Sequence, residues 1–282
     1  MYEGLFGQDL LLSPSDSSTD AEKEAFNLQR RWINELSNSL VETDWNLRVV
    51  LKAMLMSPYY RARSVEMGDV EIVSHVGASQ RLSPLALQRK LQATLGFAWD
   101  EFWSMDSQLM YGGINSDDVT EALNEPSGLA DGLHQRMAVE MGCRATSYDF
   151  ALAPDDRRLF PDIDYSQLPF DPLTDAELPE NIAAIKATIA NLHWRLYGSK
   201  VDTTGDEVSQ AYDLYLRVLL HYRDVNPGRF LSCRATREYL VDGSQGDLFP
   251  EEQWLEFDTS YSVHAWTAVM VYLLSDFRFI YE

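Results

Sequence analysis

A chain of 282 residues that is 45% hydrophobic and 12% aromatic is long and apolar enough to bury a substantial core as one large domain or two smaller lobes, which excludes disorder for most of its length. Its 44 aspartates and glutamates outweigh 23 lysines and arginines to give a formal charge of -21; the basic residues come as scattered pairs (Arg30 with Arg31, Arg61 with Arg63, Arg157 with Arg158), so no cationic stripe is present to track a phosphate backbone and nucleic-acid binding is excluded. The longest apolar run, residues 265–274, is about half the length that a membrane-crossing helix requires.

The opening residues, MYEGLFGQDLLLS, lack a basic n-region and a clear cleavage site. As a true start they argue for the cytosol; as an internal start they leave the compartment open. Thr19 followed by Glu22 has capping-box spacing, and Phe26, Ile33, Leu36 and Leu40 recur at helical intervals, which predicts a helix from Asp20 to about Leu40. A second helix is expected from Asp44 until Pro58 stops it. Ser83 and Pro84 are an N-cap and first-turn pair opening a third, with Gly96 placed to end it.

The stretch from Gly96 to Gly128 is irregular and aromatic, and Asp118 with Glu121 reads as the capped start of a short helix ending before Pro126. Residues 128–147 predict a central helix: Leu129, Leu133, Met137 and Met141 mark one side, Val139 and Cys143 the other, a pattern that suits burial on both. The segment 151–179 carries Pro154, Pro161, Pro169, Pro172 and Pro179 and is the expected boundary between an N-terminal lobe (1–150) and a C-terminal lobe (180–282).

Beyond it, Ile182, Ile185, Ile189, Leu192 and Leu196 form a helical stripe that Gly198 ends, and Val208 to Tyr222 forms another, so the two should pair as a hairpin. A further helix is expected through Cys233, then loop from Val241 to Pro250. The chain closes with a core helix whose inner face is Trp266, Val269, Met270, Leu273 and Phe277. No alternation long enough for a sheet stands out. The expected class is therefore all-α, two packed helical lobes of about nine to eleven helices with long irregular connections.

Chemistry is harder to find. His134, His193, His221 and His264 all fall on expected helices beside apolar stripes, and the paired Glu-x-x-His motifs of a di-iron bundle are missing. Glu71 with His75 and Asp131 with His134 share a face, but a metal site needs more ligands than such a pair supplies, so no metal ligands are assigned. The sequence has no covalent heme motif, phosphate loop, nucleophile elbow or Ser-x-x-Lys pair.

The candidate binding loop is Tyr111, Gly112, Gly113, Asn115, Asp117 and Asp118. Its glycines free the backbone and its oxygens are of a kind that calcium accepts, yet the spacing is not that of an EF-hand; a turn leading into the Asp118 cap is the simpler reading. A metal-assisted or carboxylate-based hydrolase would use residues 111–121 with His134. No catalytic residue is assigned.

Both cysteines sit in the same tetrapeptide, CRAT, at 143–146 and 233–236. The flanks differ, which argues against a duplicated unit. Two buried thiols or one Cys143–Cys233 bridge remain, the latter closing a loop of about ninety residues in an oxidising compartment.

The phrases DWNLRVVLKAMLMSPYYRA, RLSPLALQRKLQATLG, LMYGGINSDDVTEALNEPSGL, RMAVEMGCRATSYDF, NLHWRLYG and AWTAVMVYLLSDFRFIYE together resemble the helical domains of unknown function in large secreted bacterial proteins that carry planctomycete-type cytochrome c modules. The likeness covers roughly residues 40–282. It implies cysteines at both matching positions, which favours the bridge, together with export to the periplasm or cell surface and association with redox proteins.

The chain departs from that architecture in having no heme motif, so the resemblance implies heme on a partner domain or subunit, such as a c-type cytochrome, and no cofactor in this chain. The expected role is a non-catalytic scaffold or docking domain of an exported redox assembly. A cytosolic helical adaptor is expected instead if Met1 is the true start and the thiols are free.

Overall fold

The structure, a computed structural model, describes residues 10–57, 81–114, 119, 127–225 and 228–281. The chain divides into two compact units, Met1–Arg81 with Tyr281–Glu282, and Leu82–Ile280. Among the described residues the architecture is all-α, with nine α-helices and two small two-stranded ladders.

In the first unit, helix α1 (Asp20–Glu42) starts on the expected capping box: the Thr19 hydroxyl accepts from Glu22 N–H at 3.2 Å and the Glu22 carboxylate accepts from Thr19 N–H at 2.7 Å. Helix α2 (Leu47–Met56) begins later than Asp44, because Asp44 and Trp45 both take left-handed backbone conformations (φ 53° and 63°) and the Asn46 side chain supplies the cap. Val50 and Met54 pack against Trp32, Leu36 and Leu40, a modest core made by one face of each helix.

The second unit opens with α3 (Pro84–Leu95), capped by the Ser83 hydroxyl and ended by Gly96 at φ 101°. Leu87, Leu91 and Leu95 are its buried face. The buried Gln88 amide brackets the backbone of Trp99, accepting from its N–H at 2.9 Å and donating to its carbonyl at 2.7 Å. A 3-10 turn (Asp100–Trp103) and α4 (Met105–Met110) follow. Helix α5 (Gly128–Ala151) is the central helix; α6 (Pro179–Tyr197) ends at Gly198 in the left-handed region and packs on α7 (Asp206–Val225).

Strands β1 (Phe230–Ala235), β2 (Arg237–Tyr239), β3 (Gln245–Leu248) and β4 (Leu255–Phe257) pair antiparallel as β1–β4 and β2–β3. Helices α8 (Ser262–Ser275) and α9 (Phe277–Ile280) complete the unit. Helix α5 lies against α8 and β1, and α8 also takes α7. Helices α5 and α8 are in close contact at Gly142, where a Cβ would lie 2.9 Å from Val271 Cγ2 and 3.0 Å from Val271 N.

Several expectations are corrected. Cys233 lies on a strand, not a helix: Leu231 and Ala235 turn inward while Phe230, Ser232 and Arg234 face out, the two-residue period of a half-buried strand. Residues 241–250 are not all loop, since β3 occupies part of them. On α5, Leu129 and Val139 are exposed, whereas Leu133, Met137 and Met141 are buried as expected.

The closing helix breaks at Asp276, whose carboxylate takes the N–H of Arg278 at 2.9 Å; that break turns Phe277 out to solvent, while Trp266, Val269, Met270 and Leu273 stay in the core. The Pro-rich segment 151–179 contributes Leu159, Phe160 and Ile163 to the core, with the Phe160 ring 4.4 Å from Phe150 and 5.1 Å from Trp266. It is wound into the Leu82–Ile280 unit, and the division between units falls near Arg81.

Candidate functional site

Of the candidate loop, Asn115, Asp117 and Asp118 lie outside the described residues, as do Glu71, His75 and the short helix expected after Asp118. Tyr111, Gly112 and Gly113 form the tight turn that ends α4. Tyr111 is buried with its ring 5.2 Å from Phe102, Gly112 has φ 98°, and the Gly113 N–H donates to Gln108 O at 2.7 Å. A Cβ at Gly113 would lie 2.8 Å from that carbonyl and 3.2 Å from Pro84 Cγ, so this glycine is required by close packing.

His134 is a tether between helices. Its buried ring is 2.7 Å from Leu274 O, which assigns the proton to Nε2, and burial pushes the imidazole below its ordinary pKa despite that carbonyl. His193 is buried as well, and neither ring nitrogen has a hydrogen-bond partner among the described residues. Burial lowers its pKa too, with Glu207, Arg278 and Asp276 close enough to modulate it. Among the described residues no three His, Cys, Asp or Glu side chains gather as a metal site, and no helix is long and apolar enough to cross a membrane.

Two further polar arrangements stand out. A cleft of about 270 Å³ lies between Ala151–Ala153, Asp164 and the 252–255 segment. Its guanidinium is already committed, since Arg157 donates to the carbonyls of Leu152, Ile163 and Phe150 at 2.9–3.2 Å. The second is a pair at the start of α8. Asp258 is fully buried, its Oδ2 accepts from His264 N–H at 2.9 Å and from His264 Nδ1 at 2.8 Å, and its Oδ1 takes the Ser260 hydroxyl at 3.2 Å.

The Asp258 bond places the ring proton on Nδ1 and the lone pair on Nε2. The ring is 4.7 Å from Tyr222, and Tyr261, just before the helix, has φ 63°. Capping of α8 accounts for half of this geometry; an imidazole held in one tautomer can also accept a proton. The spacing from Asp258 to His264 crosses a loop into a helix, so periodicity carried no sign of it.

The cysteines are joined. Cys143 on α5 and Cys233 on β1 form a disulfide with Cα atoms 5.7 Å apart. One face of α5 beside it grips the aromatic stretch: Trp99 Nε1 donates to Glu140 at 2.9 Å, Arg144 pairs with Asp100 at 2.6 Å, and Arg136 pairs with Glu101 at 2.9 Å. Downstream of Cys233, Tyr239 of β2 stacks on Phe97 at 4.5 Å and meets Tyr148 of α5 at 5.4 Å.

These rings seat the β2–β3 hairpin so that its turn lies over residues 97–103. Ala98 N–H donates to Val241 O at 3.0 Å, Gln92 Nε2 donates to the same carbonyl at 3.2 Å, and Trp103 Nε1 donates to Asp242 O at 2.8 Å. Gly243, at φ 87°, is the pivot; a Cβ there would run into Ala98 O. The result is a fixed surface on which Trp103 and Val241 are 64% and 65% exposed. The aromatic run is visible in the sequence, but no pattern in the sequence joins it to residues 240–244. No protein-family model, curated protein or solved structure matches this chain.

Proposed function

We propose that the chain is a non-catalytic scaffold or docking domain of an exported redox assembly, acting in the periplasm or at the cell surface through a protein partner. Any heme belongs to that partner, such as a c-type cytochrome, or to another domain. The observation that carries this reading is the Cys143–Cys233 bridge, because disulfides persist in oxidising compartments and are rare in the cytosol. The resemblance to helical domains of secreted cytochrome-bearing proteins supports it from the sequence side.

The test is the intact mass of the protein from its native source, with thiol alkylation before and after reduction. A mass short by two hydrogens, with alkylation only after reduction, is the expected result. Free thiols would remove the exported reading in favour of a cytosolic helical adaptor. Stoichiometric heme, flavin or metal in the purified chain would remove the scaffold reading.

A second reading, hydrolysis by water activated at His264 Nε2, is favoured by the buried Asp258 that orients the ring. A screen of ester and peptide substrates tests it. An activity lost in His264→Gln, with folding unchanged, would establish it over the scaffold reading.

A further inference from the structure

We propose that the surface built from Trp103 and the 240–244 turn docks the basic face of a partner protein; this rests on the docking reading above and names its site and the chemistry of its partner. Four large apolar side chains meet water there: Trp103 at 64% exposure, Val241 at 65%, Met105 at 55% and Leu240 at 48%. Scattered apolar residues on a surface need no explanation. These are different because two chain segments are bonded to each other to present them. The indole is fixed through its N–H to Asp242 O, and the turn is fixed on Ala98 and Gln92. A tryptophan already held in place loses little freedom when it is covered, which is how aromatic anchors of interfaces act.

Charge decides what covers it. The two segments that form this surface and its rim, 97–106 and 237–248, carry the exposed carboxylates of Asp100, Asp106, Glu238, Asp242 and Asp247. Ser244 donates both its N–H (3.0 Å) and its hydroxyl (2.6 Å) to Asp242, the hydroxyl bond contributing most to holding this carboxyl below the usual range, so it is charged at any physiological pH. Against these stand Arg144, already paired with Asp100, and Arg237, whose guanidinium donates to Gly246 O at 3.3 Å. The rim is net acidic on a chain of charge -21. A second copy of the chain, an anionic lipid surface and a nucleic acid would each be repelled from such a rim. A lysine-rich protein face would be steered to it, and it would cover the indole once there.

The experiment uses the full, disulfide-bonded chain and mitochondrial cytochrome c, a strongly basic protein, as the probe, with titration calorimetry at low ionic strength. The expected result is saturable binding that weakens in 0.3 M salt, falls about tenfold or more in both Trp103→Ala and Val241→Arg, and is unchanged in Leu173→Ala, whose side chain is 93% exposed on another turn. Val241→Arg guards against misfolding of the indole segment, since its side chain projects into solvent.

Cytochrome c whose lysines have been acetylated should not bind. Absence of binding, or equal binding of the acetylated protein, overturns the inference of a basic partner. Binding that both surface variants leave intact overturns this surface while sparing the docking reading, which stands or falls separately on the thiol state of the native protein.

Discussion

Removing the disulfide is the perturbation whose size follows most directly from the geometry. Cys143 and Cys233 are 90 residues apart in sequence and 5.7 Å apart at Cα, both on elements packed into the Leu82–Ile280 unit. In the chain-entropy account, opening a loop of that length returns about 4–5 kcal/mol of conformational freedom to the unfolded chain at 25 °C. For a unit of this size each kcal/mol moves Tm by about 2–4 °C, so Cys143→Ser/Cys233→Ser should melt about 8–20 °C below the oxidised protein.

The folded state should survive the change, because Leu231 and Ala235 of β1 are buried and the Tyr239–Phe97 stack holds the next strand. Guanidinium melts of the oxidised, reduced and double-serine proteins, followed by far-UV circular dichroism, measure the difference. Reduced and double-serine proteins should agree. A loss under about 1 kcal/mol would refute the reasoning, for it would mean that the closed loop does not constrain the unfolded chain. Rapid amide exchange confined to residues 230–257 after reduction would show instead that this segment opens locally, below the global transition.

Gly142→Ala sets helix propensity, a gain of about 1 kcal/mol, against overpacking that costs about 1–3 kcal/mol. Because the clash is with the backbone of Val271 as well as its Cγ2, the clash should win and Tm should fall; a rise would refute the assigned contact. Asp149 is buried and accepts the N–H groups of Arg158, Leu159 and Phe160 at 2.7–3.0 Å. Asp149→Ala strands all three and should cost about 3 kcal/mol or more in denaturant melts, with Asp149→Asn costing less; equal losses would show that the acceptor oxygens are irrelevant.

Stability should also fall with acid. Burial lowers the folded pKa of His134 and His193, so below about pH 6.5 the unfolded chain binds protons that the native one refuses, and each imidazole removes up to about 1.4 kcal/mol per pH unit until its folded pKa is reached. Burial raises Asp149, which acts in the opposite sense, its contribution being present below the ordinary carboxyl pKa and lost as pH rises through the folded one. Between pH 7 and 5.5 two imidazoles act in the destabilising sense against one carboxyl acting in the other. Tm should drop across that window, the drop should shrink in His134→Gln/His193→Leu, and a flat profile in the parent would count against the neutral buried rings.

How far the fold could be read in advance is best seen in the two CRAT segments. At 143–146 the four residues are helix, with the Thr146 hydroxyl donating back to Gly142 O at 2.7 Å; at 233–236 they run out along β1, and Thr236 O accepts from Phe249 N–H at 3.0 Å. The same local propensities serve both states, so tertiary context chose between them. Where a pattern ran long, as in the leucine face of α3 or the isoleucine stripe of α6, period and caps sufficed. Where a segment was short, as with β1 to β4, helix and strand periods were not separable. The bridge was legible as one of two options because only two cysteines exist. The Trp103 surface was not legible, since its halves are about 140 residues apart and are joined by hydrogen bonds to carbonyls of the 240–244 turn and by the Tyr239–Phe97 stack.

The repeated tetrapeptide also shows how the bridge and the surface belong to one arrangement. In each copy the alanine is buried, 1% exposed at Ala145 and 2% at Ala235, and the arginine reaches out to a carboxylate, Arg144 to Asp100 and Arg234 to Glu256. Cysteine toward the partner segment, arginine toward acid and alanine into the core is a set of demands that a helix and a strand can both meet. On α5 those demands tie the helix to Asp100, in the 97–103 stretch that carries Trp103; on β1 they tie the strand to β4 and set the start of the β2–β3 hairpin that carries Val241. The disulfide joins the two copies, so it holds together the two segments that the proposed surface needs side by side. Reduction should therefore weaken cytochrome c binding even under conditions where the protein stays folded; binding unchanged after complete reduction would separate the bridge from the surface and leave it with stability alone.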